Sequence, residues 1–337
     1  MKREGQLVEK ISRALQIKNS AAASRVSRSA IRLGIGDDAA VLKSPPNSEW
    51  VVSCDAFVED VHFRMSTHPA DSVGYKSLMR ATSDLAAMGA TPRYYLLTLA
   101  IPAERTGRWL DEFLVGMARA SREVRIRAVG GDTTRNSKTF LSLTVIGEGR
   151  PGRTVSRSGA RPGDLIYVSG ALGRAQLGLA LTLAGHVRNR SVREPVAQHL
   201  YPRARVELGA WLAQRKIPTA MIDLSDGLST DLARVCGASR VGARIVAGQL
   251  PLPVVTPAAH RLLGRKRFDP LQAALHGGDD YQLLFTIPRR LSAKLRRAPG
   301  ARDLHAIGEI TRERTITVLD AFGRSSPLHS AGWDSFR

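Results

Sequence analysis

Residues 219–236 read TAMIDLSDGLSTDLARVC. A short apolar run closes on Asp223, a Ser-Asp-Gly turn follows, and an amphipathic stretch completes the segment as strand, turn and helix. The same alternation fills the chain. WVVSCDAFV (50–58), YYLLTLAI (94–101), IRAVGGD (126–132) and TFLSLTVIGEG (139–149) are predicted strands, and Leu141, Leu143 and Val145 alternate in the last. PADSVGYKSLMRATSDLAAMG (69–89) is a predicted helix, with Pro69 at its start and Gly89 at its end, where a left-handed cap is expected. RWLDEFLVGMARAS (108–121) is another, with Leu110, Leu114 and Met117 along one face. After GRPGRTVSRSGARPGD (149–164), a Gly-, Pro-, Ser- and Arg-rich linker or ordered loop, the pattern resumes. LIYVSG, ARIVA, YQLLFTI and RTITVLD read as strands, and LGRAQLGLALTLAG and RARVELGAWLAQR as helices. The expectation is an α/β chain of two domains, residues 1–149 and 150–337.

Composition narrows the function. The chain has 337 residues, 43% of them apolar, which suffices for packed cores and excludes a disordered protein. No apolar run reaches membrane-spanning length. The first thirty residues carry scattered Lys and Arg without an apolar block, so no secretory signal is expected. GQLVEKISRAL (5–15) reads instead as an amphipathic helix, with Leu7, Ile11 and Leu15 spaced four apart. Two cysteines, Cys54 and Cys236, are too few for a disulfide framework or a cysteine zinc site, and a reduced, cytoplasmic setting fits them. The net charge of +20 attracts polyanions. The charge alone does not choose among nucleic acid, anionic lipid and phosphorylated metabolites. The cations are dispersed rather than gathered in one tail, which weakens the nucleic-acid reading, and no specific nucleic-acid partner is expected.

Against that basic background the acids stand out. They recur at the ends of apolar strands, beside Gly, Ser or Thr: GIGDD (Asp37, Asp38), SCD (Ser53, Asp55), TSDLAAMG (Asp84), GGDTT (Asp132), IDLSDG (Asp223, Ser225, Asp226) and GGDDY (Asp279, Asp280). Singly, each is ordinary turn or cap chemistry, and Asp226 is placed to cap the helix that follows it. Strand ends of α/β folds are where ligand sites gather, so the six clusters are expected to converge on one cleft. Carboxylates brought close together need cations. Aspartates at Gly-rich turns, without His or Cys, form hard oxygen sites suited to Mg²⁺, which is commonly shared with substrate phosphates. The common nucleotide signatures are missing: there is no P-loop, no kinase Gly-rich loop, and GIGDDA lacks the third glycine of a dinucleotide fingerprint.

GIGDDAAVL, SDLAAMGATP, GGDTTR, VSRSGARPGD, IDLSDGLSTDL and GGDDYQLLFT resemble, in order and spacing, the thiamine-monophosphate kinase family, from about Gly5 to the C-terminus. That family belongs to the superfamily of aminoimidazole ribonucleotide synthetase. The resemblance implies a two-domain fold: an N-terminal mixed sheet with helices on one face, and a C-terminal α/β domain. It implies transfer of the γ-phosphoryl group of ATP to thiamine monophosphate, several Mg²⁺ ions, K⁺ as a candidate further cation, and a homodimer. It carries roles to residues here. Asp38, Asp55, Asp84, Asp132, Asp223 and Asp226 would hold metal, assisted by Ser53 and the backbone at Cys54. Gly131, Asp132, Arg157 and Ser225 would contact ATP, with Asp132 and Asp223 at the reacting phosphates. His62 would meet the substrate phosphate, and Asp279 and Trp333 the thiamine portion. Three positions depart from the family pattern: Asp279 where Glu is frequent, Cys54 where Thr is usual, and Leu114 where an aromatic residue near the adenine is common. The reading kept beside this one is a sibling ATP-dependent enzyme of the same superfamily.

Overall fold

The structure, a computed structural model, describes residues 10–11, 13–14, 31–33, 41–42, 46–264 and 268–334. Asp37 and Asp38, and most of the predicted helix over 5–15, lie outside the described residues. The chain divides into two compact units, Met1–Leu85 with Ala90–Gly152, and Ala86–Gly89 with Arg153–Arg337.

In the first unit β1 (Ile31–Leu33) and β2 (Val41–Leu42) pair antiparallel. The main sheet holds β3 (Glu49–Val58), β4 (Thr91–Ile101), β5 (Arg127–Arg135) and β6 (Phe140–Gly149) in the order β3-β6-β4-β5. It is mixed: β6 runs antiparallel to β3 and β4, whereas β4 and β5 are parallel. The crossover between those parallel strands is α2 (Arg108–Val124), which buries Leu110, Phe113, Leu114 and Met117, the face its spacing predicts. Helix α1 (Ala70–Ala87) ends as Gly89 predicts. Gly89 has φ +71°, its N–H donates to Ala86, and the Ala90 N–H reaches back to Leu85, the paired bonds of a Schellman cap.

The second unit is built on one seven-stranded sheet. Its strands are β7 (Asp164–Val168), β8 (Ala220–Asp223), β9 (Gly242–Val246), β10 (Leu283–Pro288), β11 (His305–Thr311), β12 (Ile316–Leu319) and β13 (Ser325–Pro327), in the order β13-β12-β9-β11-β7-β10-β8. Among the described residues of this sheet only β9 and β12 pair in parallel. The helices are α3 (Arg174–Leu183), α4 (Arg193–Leu200), α5 (Val206–Gln214), α6 (Leu228–Ser239), α7 (Pro257–Leu263) and α8 (Pro270–His276). One cluster packs Ile166, Val168, Ile222 and Leu284 of the sheet against Leu228, Leu232 and Val235 of α6. A second packs Met221, Leu283 and Phe285 against Leu208 and Leu212 of α5. β8, fully buried, thereby delivers its C-terminal Asp223 and the turn after it to a fixed place. Among the described residues no helix is long and apolar enough to cross a membrane.

Candidate active site

The predicted acids fall into two sets, one in each unit. In the first, β3 supplies residues two apart and α1 residues four apart, so matching pairs meet. Ser53 Oγ donates to Asp84 Oδ2. Arg80, one turn before Asp84, faces both oxygens of Asp55, with Nε 2.9 Å from Oδ2 and Nη2 3.4 Å from Oδ1. Side chains alternate along β3, so Cys54 points the other way. Its exposed thiol lies 3.4 Å from Ser142 Oγ, away from the face that carries Ser53 and Asp55.

Gly131 and Asp132 lie on the sheet edge, in β5. Cross-strand pairing puts Asp55, Leu143, Leu97 and Gly131 in one row, and Ala56, Ser142, Thr98 and Asp132 in the next. Gly131 has a reason independent of any nucleotide: a Cβ there would sit 1.9 Å from the Leu97 carbonyl oxygen. Asp132 is exposed, with two strands between it and Asp55, and stands in the neighbouring row, so its side chain leaves the opposite face of the sheet. His62 sits on the loop after β3. Its Nδ1 accepts from the Val58 N–H at 3.0 Å, so in the neutral ring the proton is on Nε2. Glu59 anchors that loop. It pairs with Arg105, accepts the Thr139 N–H at 2.7 Å, and is held below the usual carboxylate range by the Arg105 hydrogen bond. Leu114 does not face a ligand: it is 2% exposed in the core, so no adenine contact comes from it.

In the second unit the loop 224–228 gathers the remaining residues. Leu224 exchanges backbone hydrogen bonds with the 281–282 segment, the Asp279 N–H donates to the Ser225 carbonyl at 2.8 Å, and the Trp333 N–H donates to the Asp226 carbonyl at 2.9 Å. Thr230 Oγ1 holds the tail further through Ser330 and the Gly332 N–H. Asp223, Ser225, Asp226, Asp279 and Trp333 are thus set around one turn, while the Trp333 side chain stays 49% exposed. Arg157 is exposed on the loop before β7, where Ser239 Oγ pins the Gly159 and Ala160 N–H groups. The expected Asp226 cap is not what the structure shows. Asp226 pairs with Arg234 at 2.6 Å, and it is Asp231 that accepts the Asp226 and Gly227 N–H groups at the start of α6. Burial, with the nearby Asp226 charge, pushes Asp231 up to about 7.

The two acids of GGDDY divide their work. Asp279, at φ +67°, accepts from Tyr281 Oη at 2.8 Å and lies 3.9 Å from His199 Nδ1. Asp280 turns inward to accept the Gly173 and Ala175 N–H groups at 2.5 and 3.0 Å. It caps α3, whose own N-cap residue, Gly173, has no side chain to do so. Burial raises its carboxyl to about 7.

Two family profiles match the chain: AIR synthase related protein, N-terminal domain, over residues 36–148, and AIR synthase related protein, C-terminal domain, over 161–320. The thiamine-monophosphate kinase of Synechococcus elongatus is 35% identical over 289 residues, 84% of this chain and 85% of that one. The chain belongs to the thiamine-monophosphate kinase family. A crystal structure of the thiamine-monophosphate kinase from Stenotrophomonas maltophilia K279a superposes with a TM-score of 0.79 at 35% identity, covering 94% of this chain and 96% of that one. A second, described as AaThiL complexed with AMPPCP and TMP, has a TM-score of 0.74 at 27% identity and covers 99% of each chain.

Within that family frame, Ser53, Asp55 and Asp84 present hydroxyl and carboxylate oxygens on one face, a donor set whose chemistry suits Mg²⁺. Among the described residues no group of three or more His, Cys, Asp or Glu side chains could hold a metal ion by itself. The cations in contact with Asp55 and Asp226 are this chain's own Arg80 and Arg234. Neither arginine is marked by sequence pattern, since each pairing depends on the packing of a helix against the element before it. The signal for Asp231 is an acid in the first turn of a predicted helix, where a carboxylate is favoured.

Proposed function

We propose that the chain catalyses ATP-dependent phosphorylation of thiamine monophosphate, giving thiamine diphosphate and ADP. What carries the reading is the turn at 224–228. It fastens Ser225, Asp226, Asp279 and Trp333 together by backbone hydrogen bonds, in a chain whose full length is matched by a relative solved with AMPPCP and TMP.

A phosphate monoester is largely dianionic at pH 7, because its second pKa is about 6. Such an acceptor is already a nucleophile and needs no general base, so the task of the protein is positioning and charge neutralisation. His62 suits the phosphate end as a donor through Nε2. Trp333 offers an exposed π-face to the cationic thiazolium ring, and Asp279 a carboxylate near it. Gly131, Asp132, Arg157 and Ser225 are assigned to ATP. Asp38, Asp55, Asp84, Asp132, Asp223 and Asp226 are assigned to Mg²⁺, with Ser53 and the Cys54 backbone assisting; Asp132 and Asp223 serve the reacting phosphates. Bound Mg²⁺ supplies the positive charge that lets two polyanions approach, since two unit charges 4 Å apart repel by about 4 kcal/mol at an effective dielectric of 20. K⁺ is retained as a candidate second cation. The domain division at residues 149–150, a cytoplasmic setting and a homodimer belong to the same reading, and Val52, 60% exposed on edge strand β3, is consistent with a covered face in a dimer.

The test is ADP release by purified protein with ATP and Mg²⁺, with and without thiamine monophosphate. Release that requires thiamine monophosphate and is lost in Asp132→Asn supports the assignment. Release indifferent to it points to a sibling acceptor.

A further inference from the structure

Asp55 already has a cation. Arg80 approaches both of its carboxylate oxygens, at 2.9 and 3.4 Å, and the Arg80 side chain is only 14% exposed. The guanidinium is held from a second side, its central carbon 5.1 Å from the ring centre of Phe57. Phe57 is itself 1% exposed and stacked on Phe63 at 4.9 Å, so this platform is part of the core. A guanidinium does not deprotonate in a protein, so the charge cannot be shed when another cation arrives. It is also weakly hydrated, which suits it to a half-buried pair.

We propose that Arg80 is a built-in counter-ion that competes with divalent metal for Asp55. It keeps the carboxylate neutralised and aimed when no metal is bound, and it penalises a bare divalent ion at that oxygen pair. A metal that arrives with phosphates meets less repulsion, because the phosphates offset its charge beside Arg80. Arg80 is thus a positioning residue that makes Asp55 discriminate metal–nucleotide from free metal. The proposal rests on the assignment of Asp55 as a metal ligand.

The test is direct binding of Mn²⁺ to the nucleotide-free full chain, read from the electron paramagnetic resonance signal of free Mn²⁺. Wild type, Arg80→Met and Asp55→Asn are compared, with metal-dependent melting as a second readout. Removing one like charge at a partly screened site is expected to tighten Mn²⁺ by roughly tenfold in Arg80→Met. That variant should also melt lower than wild type without metal and gain more from added Mn²⁺. Asp55→Asn should weaken Mn²⁺ binding. If Asp55→Asn weakens binding but Arg80→Met binds Mn²⁺ no tighter than wild type, the competition is wrong and the metal assignment stands. If Asp55→Asn binds as wild type does, the metal assignment of Asp55 falls and the proposal falls with it. Should Arg80→Met fail to fold, Arg80→Gln, also neutral and able to hydrogen-bond Asp55, replaces it with the same expectation. Arg80→Lys keeps the charge and should stay within about twofold of wild type.

Discussion

Adjacent carboxylates in GGDDY invite a sharp test, because the structure gives Asp280 to the scaffold, whereas Asp279 is the one proposed to meet the thiamine portion. Asp280→Ala removes the acceptor of two backbone N–H groups at the start of α3, at 2.5 and 3.0 Å. Each buried donor left without a partner costs about 1–3 kcal/mol. Part of that is offset, because the wild-type carboxyl is itself penalised by burial, its pKa pushed up to about 7. The net loss expected at pH 7 is about 2–4 kcal/mol, which for a unit of this size lowers the melting temperature by roughly 5–10 °C. Calorimetry on the full chain measures it. Asp279→Asn keeps a residue that tolerates φ +67° and should cost under about 1 kcal/mol, while raising KM for thiamine monophosphate. An Asp280→Ala protein with an unchanged melting temperature and no turnover would refute the division of labour.

Other outcomes follow from the same geometry. Because the folded-state pKa of Asp280 lies above its ordinary 3.8, the stability it contributes is fully present below about pH 3.8 and is lost as pH rises through about 7. Wild type should therefore gain stability relative to Asp280→Asn as pH falls from 8 to 4, by an amount on the order of 4 kcal/mol, checked by urea titrations at each pH. Gly131→Ala would put a Cβ 1.9 Å from the Leu97 carbonyl oxygen, and the β4–β5 edge must give way. A loss of about 3 kcal/mol or more is expected from the urea midpoint. Glu59→Gln leaves Arg105 without its charge partner beneath the His62 loop, costing about 3 kcal/mol and raising KM for thiamine monophosphate more than it lowers kcat in steady-state kinetics.

Where periodicity was strong, sequence and structure agree. The strand, turn and helix of 219–236 are β8 and α6, and the alternation of Leu141, Leu143 and Val145 is the buried face of β6. What escaped is weaker locally. β11 is interrupted by Gly308, required because a Cβ would lie 2.1 Å from the Arg244 carbonyl oxygen, and its pairing with β7 slips at that point. The helices α7 and α8 have seven residues each, too few to show a helical period, although Thr256-Pro257 and Asp269-Pro270 announce both starts. At the site, the positions of Ser53, Asp55 and Asp84 could be expected from the motifs, but their partner Arg80 could not. An arginine in mid-helix looks like a solvated charge until the register of β3 against α1 is known. The same holds for Asp280, identical in type to its neighbour and separated from it only by the direction in which the backbone turns it.

The central claim is a phosphoryl transfer from ATP onto thiamine monophosphate, and phosphorus-31 resonance on a mixture of the protein, ATP, Mg²⁺ and thiamine monophosphate reads it most directly. One new diphosphate linkage on thiamine for each ADP formed, with no orthophosphate released, is the expected result. ADP accompanied by orthophosphate and unchanged thiamine monophosphate would contradict it.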